Sequence, residues 1–281
     1  VWDLDSLASA PLRLSLAGSV NAPHLALATT GEPETAGEAI VFAACSNKLR
    51  AWQLRRTGSA APQPIGAPAE LELGPLLESA GATAPHAAMA ERGARRLCLL
   101  VASEAWVFDV SGIREGLVLN LQLRTCLVGH GAALAAAAFG ELPASLGGGS
   151  ALLTAAEDRC FKLWSLPDDD AFGGGGTDEV EVGGGEVACV LESSLLPGAA
   201  IIASAAFHPH GSQLLLGDAA GTLHCFELVP AAANNARHVG CRCTHRLELP
   251  KLLSKRPAVS RGAREASPPP PPHPPNVHVV S

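Results

Sequence analysis

The chain has 281 residues, 47% of them hydrophobic and 17% charged, with a formal net charge of −7. That is enough apolar material for a sizeable core and too little charge for disorder throughout. The net charge has the wrong sign for a nucleic-acid phosphate partner. No apolar run approaches the roughly 18 residues of a membrane helix, so the expectation is no nucleic acid and no membrane.

In chain order, the sequence opens without Met on Val1-Trp2-Asp3-Leu4, followed by an apolar run over 12–16. Residues 24–29 and 39–44 are apolar runs. The polar turn Cys45-Ser46-Asn47-Lys48 leads into Leu49-Arg50-Ala51-Trp52-Gln53-Leu54, apolar at alternate positions and closing on an aromatic. The pattern returns at 85–90 and Val107-Phe108-Asp109-Val110. It returns again at 132–139 and 151–156, where the turn Glu157-Asp158-Arg159 leads into Phe161-Lys162-Leu163-Trp164-Ser165-Leu166. A further copy has 201–207 and 213–217, the turn Asp218-Ala219-Ala220-Gly221, and Leu223-His224-Cys225-Phe226-Glu227-Leu228. Another apolar run follows each anchor, over 71–73, 122–128, 187–191 and 243–249.

The anchors Trp2, Trp52, Phe108, Trp164 and Phe226 are 50, 56, 56 and 62 residues apart. Period-two alternation reads as strands with the aromatic on one buried face. Asp, Asn or Gly at the turns makes each neighbouring pair a hairpin. Four strands recur per unit with no convincing amphipathic helix between them, so the chain reads as an all-β repeat array. Segment 132–138 is helical on alanine propensity alone. Its place between Gly129-His130 and a hairpin makes it the innermost strand of its unit.

Gly129-His130, then 33 residues, then Trp164-Ser165, with Thr154 and Asp158 between, resembles a WD40 repeat. Leu152 to Ser165 follows the family's run nearly position for position, with Ala156 for its second Ser and Ser165 for its final Asp. Trp2-Asp3 carries the literal dipeptide. Other repeats depart further, with Phe108 and Phe226 for Trp, and Ala220 and Ser46 for the turn Asp. The resemblance implies a WD40-type β-propeller over residues 1–249, with four-stranded blades around a channel. About four blades and a leading strand are expected, forming an incomplete or open ring with unpaired sheet edges at both ends. Residues 250–281 are expected to be a disordered basic and Pro-rich tail. Repeats above the usual ~40–45 residues place the surplus in loops over 57–70, 140–150, 168–186 and 230–236. Long loops raise closure entropy only logarithmically.

His130, Thr154 and Asp158 are the residue types of a nucleophilic array. The resemblance implies a structural network instead: Asp158 holds His130, which bonds Thr154, which bonds the Trp164 indole. His238, Cys241, Cys243 and His245 fall within eight residues, but their spacing is not that of a structural zinc site. A strand with buried cysteines, or a loop, is the expectation there. Trp52-Gln53-Leu54-Arg55 loosely resembles the Trp-Asp-x-Arg motif by which some WD40 proteins dock onto cullin–RING ubiquitin ligases, with Arg55 as docking residue. Lys251, Lys255, Arg256, Arg261 and Arg264 form a modest basic cluster. Pro268 to Pro272, His273, Pro274 and Pro275 have polyproline II composition, which SH3, WW or profilin-type grooves recognise.

There is no phosphate-binding Gly-Lys-Ser/Thr loop, His-Glu-x-x-His or Gly-x-Ser-x-Gly. Eight cysteines, mostly in apolar runs such as Leu97-Cys98-Leu99-Leu100, suit buried thiols rather than a disulfide framework. No leader is visible at the N-terminus. The expectation is an intracellular, cytoplasmic or nuclear scaffold for protein partners that needs no cofactor and is not an enzyme. The alternatives are a ubiquitin-ligase substrate receptor and a propeller enzyme with a site at the channel mouth.

Overall fold

Alternating apolar runs joined by tight turns pair antiparallel with their sequence neighbours. The computed structural model describes residues 24–29, 38–45, 47–55, 63–91, 93, 95–111, 119–167, 187–195, 198–230 and 239–248. The first sheet holds β1 (His24–Thr29), β2 (Glu38–Cys45) and β3 (Lys48–Arg55). Both β4 (Gln63–Pro64) and β5 (Ala69–Glu72) pair with β3 as its outer neighbours. The second is the meander β6 (Ala87–Ala90), β7 (Arg96–Val101), β8 (Glu104–Ser111) and β9 (Asn120–Leu127). The third is β10 (Leu134–Glu141), β11 (Ser150–Ala156), β12 (Cys160–Ser165) and β13 (Ala188–Ser194). The fourth is β14 (Ile202–Phe207), β15 (Gln213–Asp218), β16 (Thr222–Pro230) and β17 (Val239–Glu248).

A five-stranded sheet followed by three four-stranded meanders, with Trp52, Phe108, Trp164 and Phe226 each on the third strand, makes this a WD40-type propeller architecture. The alanine-rich segment is strand β10, because pairing with β11 along its length overrides local propensity. Two points differ from the sequence reading. Residues 57–70 are not all loop, since β4 and the start of β5 lie there. A short helix, α1 (Gly74–Ser79), follows β5, with Pro at its first turn and Leu77 buried. Six residues are too few to show the periodicity that betrays a helix in sequence. Trp2, the 12–16 run, the 168–186 loop and the 250–281 segment lie outside the described residues.

The core is a series of seams between sheets. Ile40, Phe42, Leu49 and Ala51 of the first sheet pack with Leu97, Leu99, Trp106 and Phe108 of the second. Cys98, Leu100 and Val107 of the second pack with Leu152, Trp164 and Leu166 of the third. Leu153, Phe161 and Leu163 of the third pack with Leu214, Leu216, Phe226 and Leu228 of the fourth. The Phe161 and Phe226 rings cross this last seam, 4.9 Å apart and tilted by 58°, a favourable offset geometry. Each sheet therefore packs forward with one set of alternate residues and backward with the other. Val41, Ala43, Trp52 and Leu54, on the backward face of the first sheet, form their own buried cluster.

Three polar links tie the second sheet to the third. His86 Nε2 meets the Leu134 carbonyl at 2.6 Å, the Leu134 amide donates to the Ala102 carbonyl at 2.8 Å, and the buried Arg96 donates to the Pro167 carbonyl. The register slips by one residue just before the anchor in three sheets, at Val107/Phe108, Leu163/Trp164 and Cys225/Phe226. Such bulges increase local twist, and here each re-aims the fourth strand around the aromatic.

Candidate functional site

The third sheet carries the polar side chains singled out in the sequence. Thr154 lies on β11 and Trp164 on β12, on the same face and two residues from a direct pair: Leu152 faces Trp164 and Thr154 faces Lys162. His130 approaches from the segment that enters β10. The Trp164 Nε1–H donates to Thr154 Oγ1 at 2.8 Å, and His130 Nε2 lies 2.8 Å from the same oxygen. An indole is only a donor. The hydroxyl thus receives from Trp164 and has its own proton for His130 Nε2 when the imidazole is the neutral Nδ1–H tautomer. Burial favours that state: it pulls the His130 pKa below its ordinary 6.5, with Lys162 adding to the effect and Asp158 and Glu192 opposing it.

The expected bond from Asp158 to His130 is not made. Asp158 Oδ1 instead accepts the Cys160 amide at 2.8 Å, and His130 Nδ1 has no hydrogen-bond partner among the described residues. The reason lies in the turn. Arg159 sits at φ +70°, a left-handed conformation costly for a side chain, and the Asp158 carboxylate steadies the amide just beyond it. The fourth sheet has Gly221 at the equivalent position, at φ +81°.

That sheet holds a polar pair the sequence reading missed. Asp218 Oδ1 accepts the Thr222 and Ala220 amides at 2.8 and 3.0 Å, and Oδ2 lies 3.0 Å from His224 Nε2. Both side chains are almost wholly buried. Burial works to raise the Asp218 pKa, but the His224 bond and the two amides together hold it below the ordinary 3.8. The available signal was the spacing: an Asp closing one strand and a His two residues into the next.

Arg55, the candidate docking residue, donates from Nε to Glu38 Oε1 at 2.7 Å across the β2–β3 hairpin. Gln53, where the docking motif has Asp, donates to the other oxygen of the same buried carboxylate at 3.2 Å. Cys241, Cys243 and His245 do not converge. The two cysteines face the third sheet and pack on its seam, but the bulge before Phe226 leaves Thr244 over and turns His245 to the opposite face, beside Cys225. His238 and Pro268 to Pro275 lie outside the described residues. No group of three metal-ligating side chains occurs among the described residues. No helix among them is long and apolar enough to cross a membrane.

No family model and no curated protein matches this sequence. Among solved structures, the chain is similar to Chaetomium thermophilum Sqt1 bound to the N-terminus of the ribosomal protein L10. The TM-score is 0.46 at 14% identity, over 79% of this chain and 51% of that one. It is similar to a chain of an active polycomb repressive complex 2 in the basal state, with TM-score 0.47 and 16% identity, over 75% and 37%. It is also similar to Kluyveromyces lactis Hsv2, with TM-score 0.48 and 10% identity, over 75% and 60%. The chain spans about half the length of these structures or less, reaching 60% only for Hsv2.

Proposed function

We propose that this chain is a non-enzymatic scaffold for protein–protein interaction, presenting strand-end loops and the channel mouth of a rigid β-blade array. The observation that carries this reading is Thr154. Its hydroxyl is the only nucleophile candidate in the His130–Thr154–Asp158 constellation, and it is wholly buried with two interior partners at 2.8 Å. A group enclosed in that way braces a blade. Recognition then falls to surface loops held by a stiff framework.

The ubiquitin-ligase receptor reading is the weaker one, because Arg55 already ion-pairs with Glu38. The polyproline segment ending at Pro275 is proposed as a secondary ligand for SH3, WW or profilin-type grooves. An intracellular location is proposed on the eight free thiols, of which Cys98 is wholly buried.

Affinity purification of the 281-residue chain followed by mass spectrometry tests the scaffold reading. Stable protein partners should co-purify. A chain that retains no stable partner overturns the reading. Cullin adaptors lost on Arg55→Ala would establish the receptor instead.

A further inference from the structure

The turn between β14 and β15 carries two histidines that the fold leaves at the surface. Elsewhere the rings of His86, His130 and His224 are engaged inside the protein, with the Leu134 carbonyl, the Thr154 hydroxyl and the Asp218 carboxylate. His208 and His210, on either side of Pro209, are both exposed. Their ring centroids lie 5.1 Å apart, with the planes inclined by 49°. Among the described residues, the one hydrogen bond to either ring is local: the His210 amide donates to His208 Nδ1 at 3.2 Å.

The backbone beneath the two rings is held firmly. The Gly211 amide donates to the His208 carbonyl at 2.8 Å, and the His208 amide donates to the Gln213 carbonyl at 2.9 Å. Pro209 fixes its own φ between them. Gly211, at φ +70°, seats the turn so closely on the end of β10 that a Cβ there would lie 1.9 Å from the Glu141 carbonyl oxygen. Bringing both imidazoles onto one ligand therefore takes side-chain rotation alone, which lowers the ordering cost of binding. The local charge also suits a cation. Neither 208–213 nor the adjoining loop 141–149 contains Lys or Arg, and Glu141 is the one charged residue in the two segments.

We propose that His208 and His210 form a two-imidazole site for a zinc ion, with the other two coordination positions open to water. The separation of the rings selects the geometry. Zinc–nitrogen bonds of about 2.0–2.1 Å put each ring centroid roughly 3.2 Å from the metal, so two rings at a tetrahedral angle stand about 5.2 Å apart. Square-planar coordination, the preference of Cu(II), would bring them to about 4.5 Å. The observed 5.1 Å matches the tetrahedral value. Zinc on His208 Nε2 moves the ring proton to Nδ1 and gives up the bond from the His210 amide, which is long and exposed. The inference adds a metal site to the scaffold reading and does not depend on it.

The test is calorimetric titration of the full chain with zinc chloride, its thiols kept reduced, alongside NMR of the histidine rings. Wild type should show a zinc site at which the His208 and His210 ring signals shift together. His208→Ala and His210→Ala should each weaken that site by about a hundredfold, because losing either ring loses the chelate. Both histidines are exposed, so neither substitution threatens the fold. Cys241→Ser with Cys243→Ser should leave the site unchanged, which separates the turn from the thiols of β17. The proposal is overturned if zinc leaves the two ring signals where they were, if either Ala variant binds as wild type does, or if the affinity is lost with the cysteines.

Discussion

Replacing Thr154 by Val isolates the hydrogen bonds that brace the third sheet. Valine keeps the side-chain volume, so no cavity opens, but it removes the one oxygen that both Trp164 Nε1 and His130 Nε2 meet at 2.8 Å. A buried polar group left without its partner costs about 1–3 kcal/mol. The indole, fixed by its place in the seam, bears the full penalty. His130, still 9% exposed, recovers part of its own by turning toward solvent. The sum is about 2–4 kcal/mol. Thr154→Ser keeps both bonds and loses one methyl, at about 1 kcal/mol.

Amide hydrogen exchange read by mass spectrometry on β11 and β12 peptides resolves this locally, as a blade array demands. Opening of those strands should become about 30- to 1,000-fold more frequent in Thr154→Val, and clearly less so in Thr154→Ser. If Val costs no more than Ser, the bracing argument fails.

Further outcomes follow from the buried polar groups and the strained turns. His130 is held neutral by burial, so the unfolded chain takes up a proton first as pH falls below 6.5. Stability of the third sheet should therefore decline from there downward, and the decline in urea midpoint between pH 7.5 and 5.5 should flatten in His130→Gln. Asp218, held below 3.8 when folded, adds a separate loss as pH falls through that value. Asp218→Ala breaks a buried pair and strips two turn amides of their acceptor, costing about 3–5 kcal/mol by urea denaturation. Asp218→Asn, which keeps an oxygen for the amides, should cost less.

Gly211 sits at φ +70°, and a Cβ there would lie 1.9 Å from the Glu141 carbonyl oxygen. Gly211→Ala should therefore unfold at markedly lower urea than Gly66→Ala. Gly66 shares that φ with open space around it, and its substitution should cost only about 1–2 kcal/mol. Arg159→Gly, relieving a left-handed residue in the β11–β12 turn, should stabilise by about 0.5–1 kcal/mol.

The strands and their order were legible because strand pairing between chain neighbours leaves a local record. Alternation at Leu49 to Leu54 or Phe161 to Leu166 places every second side chain on one face. The Asp, Asn and Gly residues between runs dictate the reversals. The recurring aromatic marked the third strand of each described sheet, and the WD40 resemblance, not the spacing by itself, implied the bonds that Thr154 makes with His130 and Trp164.

What stayed hidden depended on angles and neighbours that no local pattern encodes. A one-residue bulge before Phe226 decides that His245 leaves the side holding Cys241 and Cys243. The backbone of one turn decides that Asp158 caps Cys160 and leaves His130 alone. The pairing of Asp218 with His224 requires the hairpin to close before the two side chains meet. Leu153 and Leu215 are alike in sequence, yet one is sealed and the other open. Burial of a sheet face is set by what packs upon it, and that is a property of the assembled blades.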